Sequence, residues 1–119
     1  MADPFKHNIK IIQGATLADV TTWKAGTPAV AVDLTGCTAR MQARAKITDT
    51  TTPLLSLTTE NGGIALGGTA GTVTINMTAI ATAALTWKSA VYDLEIVFAD
   101  TTVRRLLAGS ISVSPEVTR

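Results

Sequence analysis

The chain has 119 residues, 46% of them hydrophobic, 16% charged and 4% aromatic, with a formal net charge of +1. Its length suits one compact core that buries roughly two-thirds of the unfolded surface without metal or disulfide, and its apolar fraction excludes a disordered chain. A charge so close to zero sets up no field that would recruit nucleic acid or an anionic membrane, so neither is an expected partner.

Met1 to Asn8 lacks the apolar stretch of a signal peptide, and no run approaches the roughly 20 apolar residues that span a bilayer, so function without export is expected. Ile9 to Gln13 reads as a short apolar strand ended by Gly14. In Leu17 to Trp23, Leu17, Asp19 and Thr21 oppose Ala18, Val20 and Thr22, the two-residue period of a strand. Lys24-Ala25-Gly26-Thr27-Pro28 supplies turn chemistry, and Ala29 to Leu34 adds a short extended piece. A long strand is predicted from Cys37 to Ile47, with Cys37, Ala39, Met41, Ala43 and Ala45 on one face and Thr38, Arg40, Gln42, Arg44 and Lys46 on the other.

Asp49-Thr50-Thr51-Thr52-Pro53 is a predicted turn, Leu54 to Thr58 a strand, and Glu60-Asn61-Gly62-Gly63 a tight reversal. Ile64 to Leu66 is brief, and the Gly-rich run from Gly67 to Gly71 leads into Thr72 to Met77, where Val73, Ile75 and Met77 alternate with Thr72, Thr74 and Asn76. Residues 78–86 depart from that period. Thr78 is a candidate N-cap, and the Ala and Ile that follow suit one short helix crossing the end of a sandwich. Ala90 to Phe98 and Val103 to Ser114 then form a hairpin, with Tyr92, Leu94, Ile96 and Phe98 opposed to Val91, Asp93, Glu95 and Val97. Gly109 sits where a bulge or a close backbone approach is tolerated. About eight short strands punctuated by Gly and Pro define the expected class: an all-β sandwich, immunoglobulin-like or related, as a single domain over residues 1–119 with extended terminal segments 1–8 and 114–119.

Chemistry is sparse along this chain. His7 is the sole histidine and lies near a terminus, no Cys or His spacing suits zinc, and Gly67 to Gly71 lacks the Lys-Ser/Thr of a phosphate loop, so no enzyme, cofactor or metal is expected. Cys37 reads as inert packing. Asp93 and Glu95 are expected to pair with Arg104 or Arg105 across the hairpin, the register deciding which. Arg40, Arg44 and Lys46 form a basic stripe without the interleaved aromatics of a single-strand nucleic-acid binder. Trp23 and Trp87 are either core residues or, if exposed, interface anchors.

Several short motifs keep a recognisable order: Ile12-Gln13-Gly14, Val32-Asp33-Leu34-Thr35-Gly36 leading into Arg40-Met41-Gln42-Ala43-Arg44, Tyr92-Asp93-Leu94-Glu95, Arg104-Arg105-Leu106-Leu107-Ala108-Gly109, and Val113-Ser114-Pro115-Glu116-Val117-Thr118-Arg119. In that order the chain resembles small tailed-bacteriophage virion proteins and the N-terminal β-sandwich domains of upper-baseplate and fibre-attachment proteins. The resemblance implies a non-enzymatic structural protein of the tail, baseplate or fibre-attachment region. It implies multiple copies in the virion, assembly in the cytoplasm of the bacterial host, and other phage structural proteins as partners. Ending at Arg119 without coiled coil or fibre repeat, it is expected to be a stand-alone adaptor or, alternatively, a capsid decoration protein; a carbohydrate-binding module is the alternative from another class. The expected partner interface comprises Phe5, His7, Trp23, Arg40, Arg44, Trp87, Pro115, Val117 and Arg119, with both termini acting as tethers.

Overall fold

A computed structural model describes residues 5–117. The strands, in chain order, are β1 (Phe5–Lys6), β2 (Ile9–Ile12), β3 (Leu17–Thr22), β4 (Lys24–Ala25), β5 (Val30–Ala31), β6 (Thr38–Arg44), β7 (Leu55–Thr58), β8 (Ile64–Leu66), β9 (Thr72–Met77), β10 (Ser89–Val97) and β11 (Val103–Ser114). A 3-10 turn (Gly68–Ala70) precedes β9, and one helix, α1 (Ala79–Ala83), follows it. Eight strands have three residues or more, the number expected; β5 falls within the short extended piece expected over Ala29 to Leu34, and β1 and β4 are two-residue pieces that sequence periodicity cannot register. The chain is an all-β sandwich.

The larger sheet runs β1-β11-β10-β6-β7, with β2 also on β11, and the smaller runs β3-β9-β8. Their inner faces share one core. Ile9, Ile11, Met41, Leu94, Ile96, Leu107 and Ile111 come from the larger sheet, and Ile64, Val73, Ile75 and Met77 from the smaller. Alternation in β10 is as expected, with Ala90, Tyr92, Leu94 and Ile96 all buried. The β6 strand is shorter than expected and ends at Arg44, and Ala45 and Ile47 lie exposed in the following loop. There Asp49 folds the chain back on itself, accepting from the backbone N of Thr51 at 2.9 Å and its hydroxyl at 2.7 Å. Asp33 holds Thr35 in the same way, and Asp100 accepts from the backbone N of Thr102. These are Asx turns, the local alternative to continuing a ladder. At α1, the Thr78 hydroxyl accepts from the backbone N of Ala81 at 3.1 Å, the cap expected from the sequence.

The hairpin of β10 and β11 holds a bulge that the sequence pattern did not place. Leu94 faces Leu107 and Glu95 faces Arg105, so Leu106 is the extra residue, and two consecutive leucines, Leu106 and Leu107, are both buried. Gly109 has the other role foreseen for it. Its backbone packs against the crossing N-terminal segment so closely that a Cβ would collide with the His7 carbonyl oxygen and the Asn8 side chain.

That contact bears on the tether expected over residues 1–8, of which residues 1–4 lie outside the described residues. Phe5 and Lys6 pair in parallel with Leu107 and Ala108, the His7 backbone N donates to the Ala108 carbonyl, and Asn8 Oδ1 accepts from the Ser110 backbone N, so residues 5–8 lie hydrogen-bonded along β11. Two edges of the sandwich are closed in distinct ways. Along β7, the Asn61 side chain accepts from the Thr58 backbone N and donates to the Ser56 carbonyl, occupying outward-facing groups of that edge.

Two outcomes follow from this packing. Gly109→Ala should destabilise the fold by about 1–3 kcal/mol, since the neighbouring backbone cannot yield as a side chain would, and chemical denaturation checks this. The carboxyls of Asp33, Asp49 and Asp100 are held below the ordinary aspartate value, chiefly by the hydrogen bonds from Thr35, Thr51 and Thr102. A lowered folded-state value means that the stabilisation is present above the unfolded value of about 4 and is lost as pH falls below it. Acid titration of the folded protein should therefore show all three protonating at lower pH than an unfolded aspartate, as side-chain carboxyl chemical shifts would report.

Candidate interaction surfaces

Alternation in β6 and β10 puts Arg40, Gln42 and Arg44 beside Asp93 and Glu95 on the outer face of the larger sheet. Arg40 sits directly opposite Glu95, and its Nε donates to Glu95 Oε1 at 2.8 Å. The bulge at Leu106 decides the other pair. It turns Arg105 to this face, 3.4 Å from Asp93, while Arg104 lies opposite Ile96. Arg44 donates to the Thr51 carbonyl and to Gln42 Oε1, tying the strand to the Asp49 turn. The basic stripe is thus interleaved with carboxylates, and each exposed pair contributes about 0.2–1 kcal/mol.

Phe5 and His7 share a rim where the two sheets meet. His7 Nε2 lies 3.0 Å from each carboxylate oxygen of Asp19 on β3, joining the N-terminal edge of the larger sheet to the edge of the smaller. The Tyr92 hydroxyl donates to the His7 carbonyl from inside the core. Burial, with the Asp19 carboxylate adding to it, pushes that hydroxyl well above the ordinary tyrosine value, so it remains a donor. Phe5 itself is 56% exposed.

The two tryptophans mark opposite ends of β10. Trp23 is half-buried and tilts against Phe98, with ring centroids 6.0 Å apart. Trp87 is also half-buried and lines a shallow hollow with Gln13, Leu85, Val113 and Pro115. Both pack against the core, so neither presents a fully exposed ring. The C-terminal segment is tied down at this end by Gln13, whose Nε2 donates to the Leu85 carbonyl at 2.9 Å while its Oε1 accepts from the Glu116 backbone N at 2.7 Å. Thr82, fully buried, donates to the Ala15 carbonyl and accepts from the Gly14 backbone N. Beyond that clamp Val117 is 91% exposed, and Arg119 lies outside the described residues. The expected interface residues therefore fall on four separate places: the rim, the outer face and both ends. Gln13 and Thr82 were missed as organisers because their partners lie about 70 or more residues away in the chain, although Gln13 stands within one of the motifs that carry the resemblance.

A different surface stands out by its lack of charge. The outer face of the smaller sheet carries Ala18, Val20, Thr22, Ala65, Thr74 and Asn76, paired strand to strand. Charge depletion is a mark of the buried centre of protein interfaces. An open apolar hollow of about 520 Å³ lies at one end of this sheet, lined by Leu17, Leu55, Leu57, Met77, Ala81 and Leu85.

No family model matches the chain, and no curated protein does. Among solved structures it aligns with Tim-1 over 100% of its own length and 99% of that chain, at 13% identity and a TM-score of 0.41, a likeness that assigns neither family nor function. Within the described residues no helix is long and apolar enough to cross a membrane.

Cys37 is partly buried near Asp33 and Asp100, and burial first, then the two carboxylates, raise its thiol above the ordinary value. Since the thiolate is the reactive form, Cys37 should alkylate with iodoacetamide more slowly at neutral pH than an unperturbed thiol. Asp33→Asn and Asp100→Asn should each speed it, which mass spectrometry of timed quenches would read.

Proposed function

We propose that this chain is a non-enzymatic structural protein of a tailed bacteriophage, an assembly or adaptor module of the tail, baseplate or fibre-attachment region. It works in multiple copies within the virion, is assembled in the host cytoplasm, and contacts other phage structural proteins. The reading assigns it no catalytic step, cofactor, metal, nucleic acid or membrane. Its support from the sequence is the ordered set of motifs running from Ile12-Gln13-Gly14 to the C-terminal Val113-Ser114-Pro115-Glu116. The structural observation that carries it is the contrast between the two outer faces. One is laced by Arg40–Glu95 and Arg105–Asp93 pairs, and the other is free of charge and bordered by the strand edge of β3. A module of this kind works by burial: strand edges and a charge-depleted face are covered by neighbouring subunits, with no reaction chemistry needed.

An epitope tag placed after Arg119, beyond the exposed Val117, tests the reading directly. The tagged protein should co-purify with phage particles through a density gradient, and gold-labelled antibody should decorate the tail end distal to the head. Label over the shell would instead assign it as a capsid decoration protein. Particles devoid of the tagged chain, from cells that make it in folded form, would overturn the virion assignment. Truncating residues 1–8 is the poorer test, because it removes β1 and leaves the Tyr92 hydroxyl without the His7 carbonyl.

A further inference from the structure

The β3 strand is terminal in the order β3-β9-β8, and its hydrogen-bonding parity is fixed by its neighbours. The Trp23 backbone N donates to the Gly71 carbonyl at 2.8 Å, one step beyond the Thr22–Thr72 pair. On the other side of β9, the Asn76 backbone N donates to the Gly63 carbonyl and the Gly67 backbone N to the Thr72 carbonyl. Alternate residues of an antiparallel strand bond to opposite sides, so Leu17, Asp19 and Thr21 direct their backbone groups to β9. Those of Ala18, Val20 and Thr22 point out from the edge.

Most of the devices that normally blunt such an edge are missing from β3 among the described residues. Leu17–Thr22 contains no Pro, Lys or Arg, and its register with β9 is continuous, without a bulge. Its one charge, Asp19, points to the inner side, where a lone carboxylate would itself oppose edge pairing, but His7 Nε2 stands 3.0 Å from both its oxygens. Along the edge stand Ala18, Val20 and Thr22, with Val20 60% exposed. The β7 edge differs sharply, since Asn61 occupies its outward groups. Phe5, two residues before the His7 that reaches β3, adds a large exposed apolar side chain to the same rim.

We infer that the outer edge of β3 is a docking edge for a second copy of this chain, which adds its own β3 antiparallel about a two-fold axis at Val20. The same edge is self-complementary in that register. Val20 meets Val20 of the second copy, and Ala18 meets Thr22 in both directions, each pair exchanging two backbone hydrogen bonds. Asp19 falls opposite Thr21, so no like charges stand directly opposite each other, and each carboxylate keeps its own His7. The two smaller sheets join into one of six strands, and their charge-free outer faces become continuous. None of this depends on the virion reading, because it concerns the isolated chain.

Sedimentation velocity on the purified full chain, over a concentration series reaching the millimolar range, should show a monomer–dimer equilibrium. Val20→Lys puts two ammonium groups together at the axis and should raise the dissociation constant by at least roughly tenfold. Ala65→Lys, on the same face but on β8, beyond the central strand, should leave it within about twofold of the wild type. Hydrogen exchange on the unaltered protein gives a readout free of any folding defect: the Val20 amide should be protected at high concentration and exchange rapidly on dilution, while the Thr21 amide, bonded to β9, stays protected throughout. A wild-type chain that remains monomeric across the series, a dimer indifferent to Val20→Lys, or a Val20 amide whose exchange ignores concentration would each overturn the inference. The last result, combined with a monomer that binds another virion protein through β3, would assign the edge to a different partner.

Discussion

The arrangement of this sandwich rests on the N-terminal segment lying along β11 at Gly109. Only a residue without a Cβ lets the His7 backbone pass there, and that passage places three groups at once. The His7 carbonyl receives the Tyr92 hydroxyl, the Asn8 side chain caps the Ser110 amide, and the His7 ring reaches Asp19 on the other sheet. One close approach thus closes the edge of the larger sheet, satisfies a hydroxyl at the base of the core, and joins the two sheets at their rim. Without it, Tyr92 would hold a buried donor lacking its partner, a cost of about 1–3 kcal/mol by itself.

Polar side chains elsewhere are committed to backbone groups of the chain itself. Three aspartates each hold a threonine two residues on, Asn61 covers the edge of β7, Gln13 clamps the turn after α1 to the C-terminal segment, and Thr82 bridges Gly14 and Ala15. Among the described residues no buried side-chain nitrogen or oxygen lacks a partner. Loops fixed in this way place strands of unequal length against each other without leaving unsatisfied groups at their ends.

Local pattern made much of this legible. The alternation in β3, β6, β9 and β10 follows from side chains pointing to opposite faces of a strand, and Thr78 announces α1 because its hydroxyl acts on an amide three residues away. What could not be read depends on which distant segments meet. The bulge at Leu106 leaves Leu106 and Leu107 both buried, a result of fitting β11 to β10 that no single-strand period contains. Ala45 continues the apolar phase of β6 in sequence, yet the Asp49 turn and the Arg44 hydrogen bond to Thr51 end the strand first. His7 read as a loosely held terminal residue because nothing nearby in the chain marks Asp19 as its partner. The expected interface residues are aromatic or basic side chains or members of the terminal tethers, and the fold scatters those it describes, while the uncharged face built from Ala18, Val20, Thr22 and Thr74 carries no residue type that draws notice.

Edges of β-sheets decide what a protein of this class can join, because an unpaired strand presents the same donors and acceptors to any extended partner. Selection among partners therefore has to come from which edges are covered. Here Asn61 covers β7 with its own side chain, and the N-terminal segment covers β11, both by contacts internal to the chain. The β3 edge is treated in the opposite manner: strand alternation points its single carboxylate to the inner side, and the Gly109 crossing carries His7 to the rim to meet it. Covering this edge would shut the inward carboxylate further from water, so its pairing with His7 is what keeps that step from burying a lone charge, and backbone hydrogen bonds then supply the register. The contact that stabilises the monomer and the surface left available for assembly are thus linked through one histidine–aspartate pair, and a change that removed the His7 ring would leave the Asp19 carboxylate without that partner beside the edge to be covered.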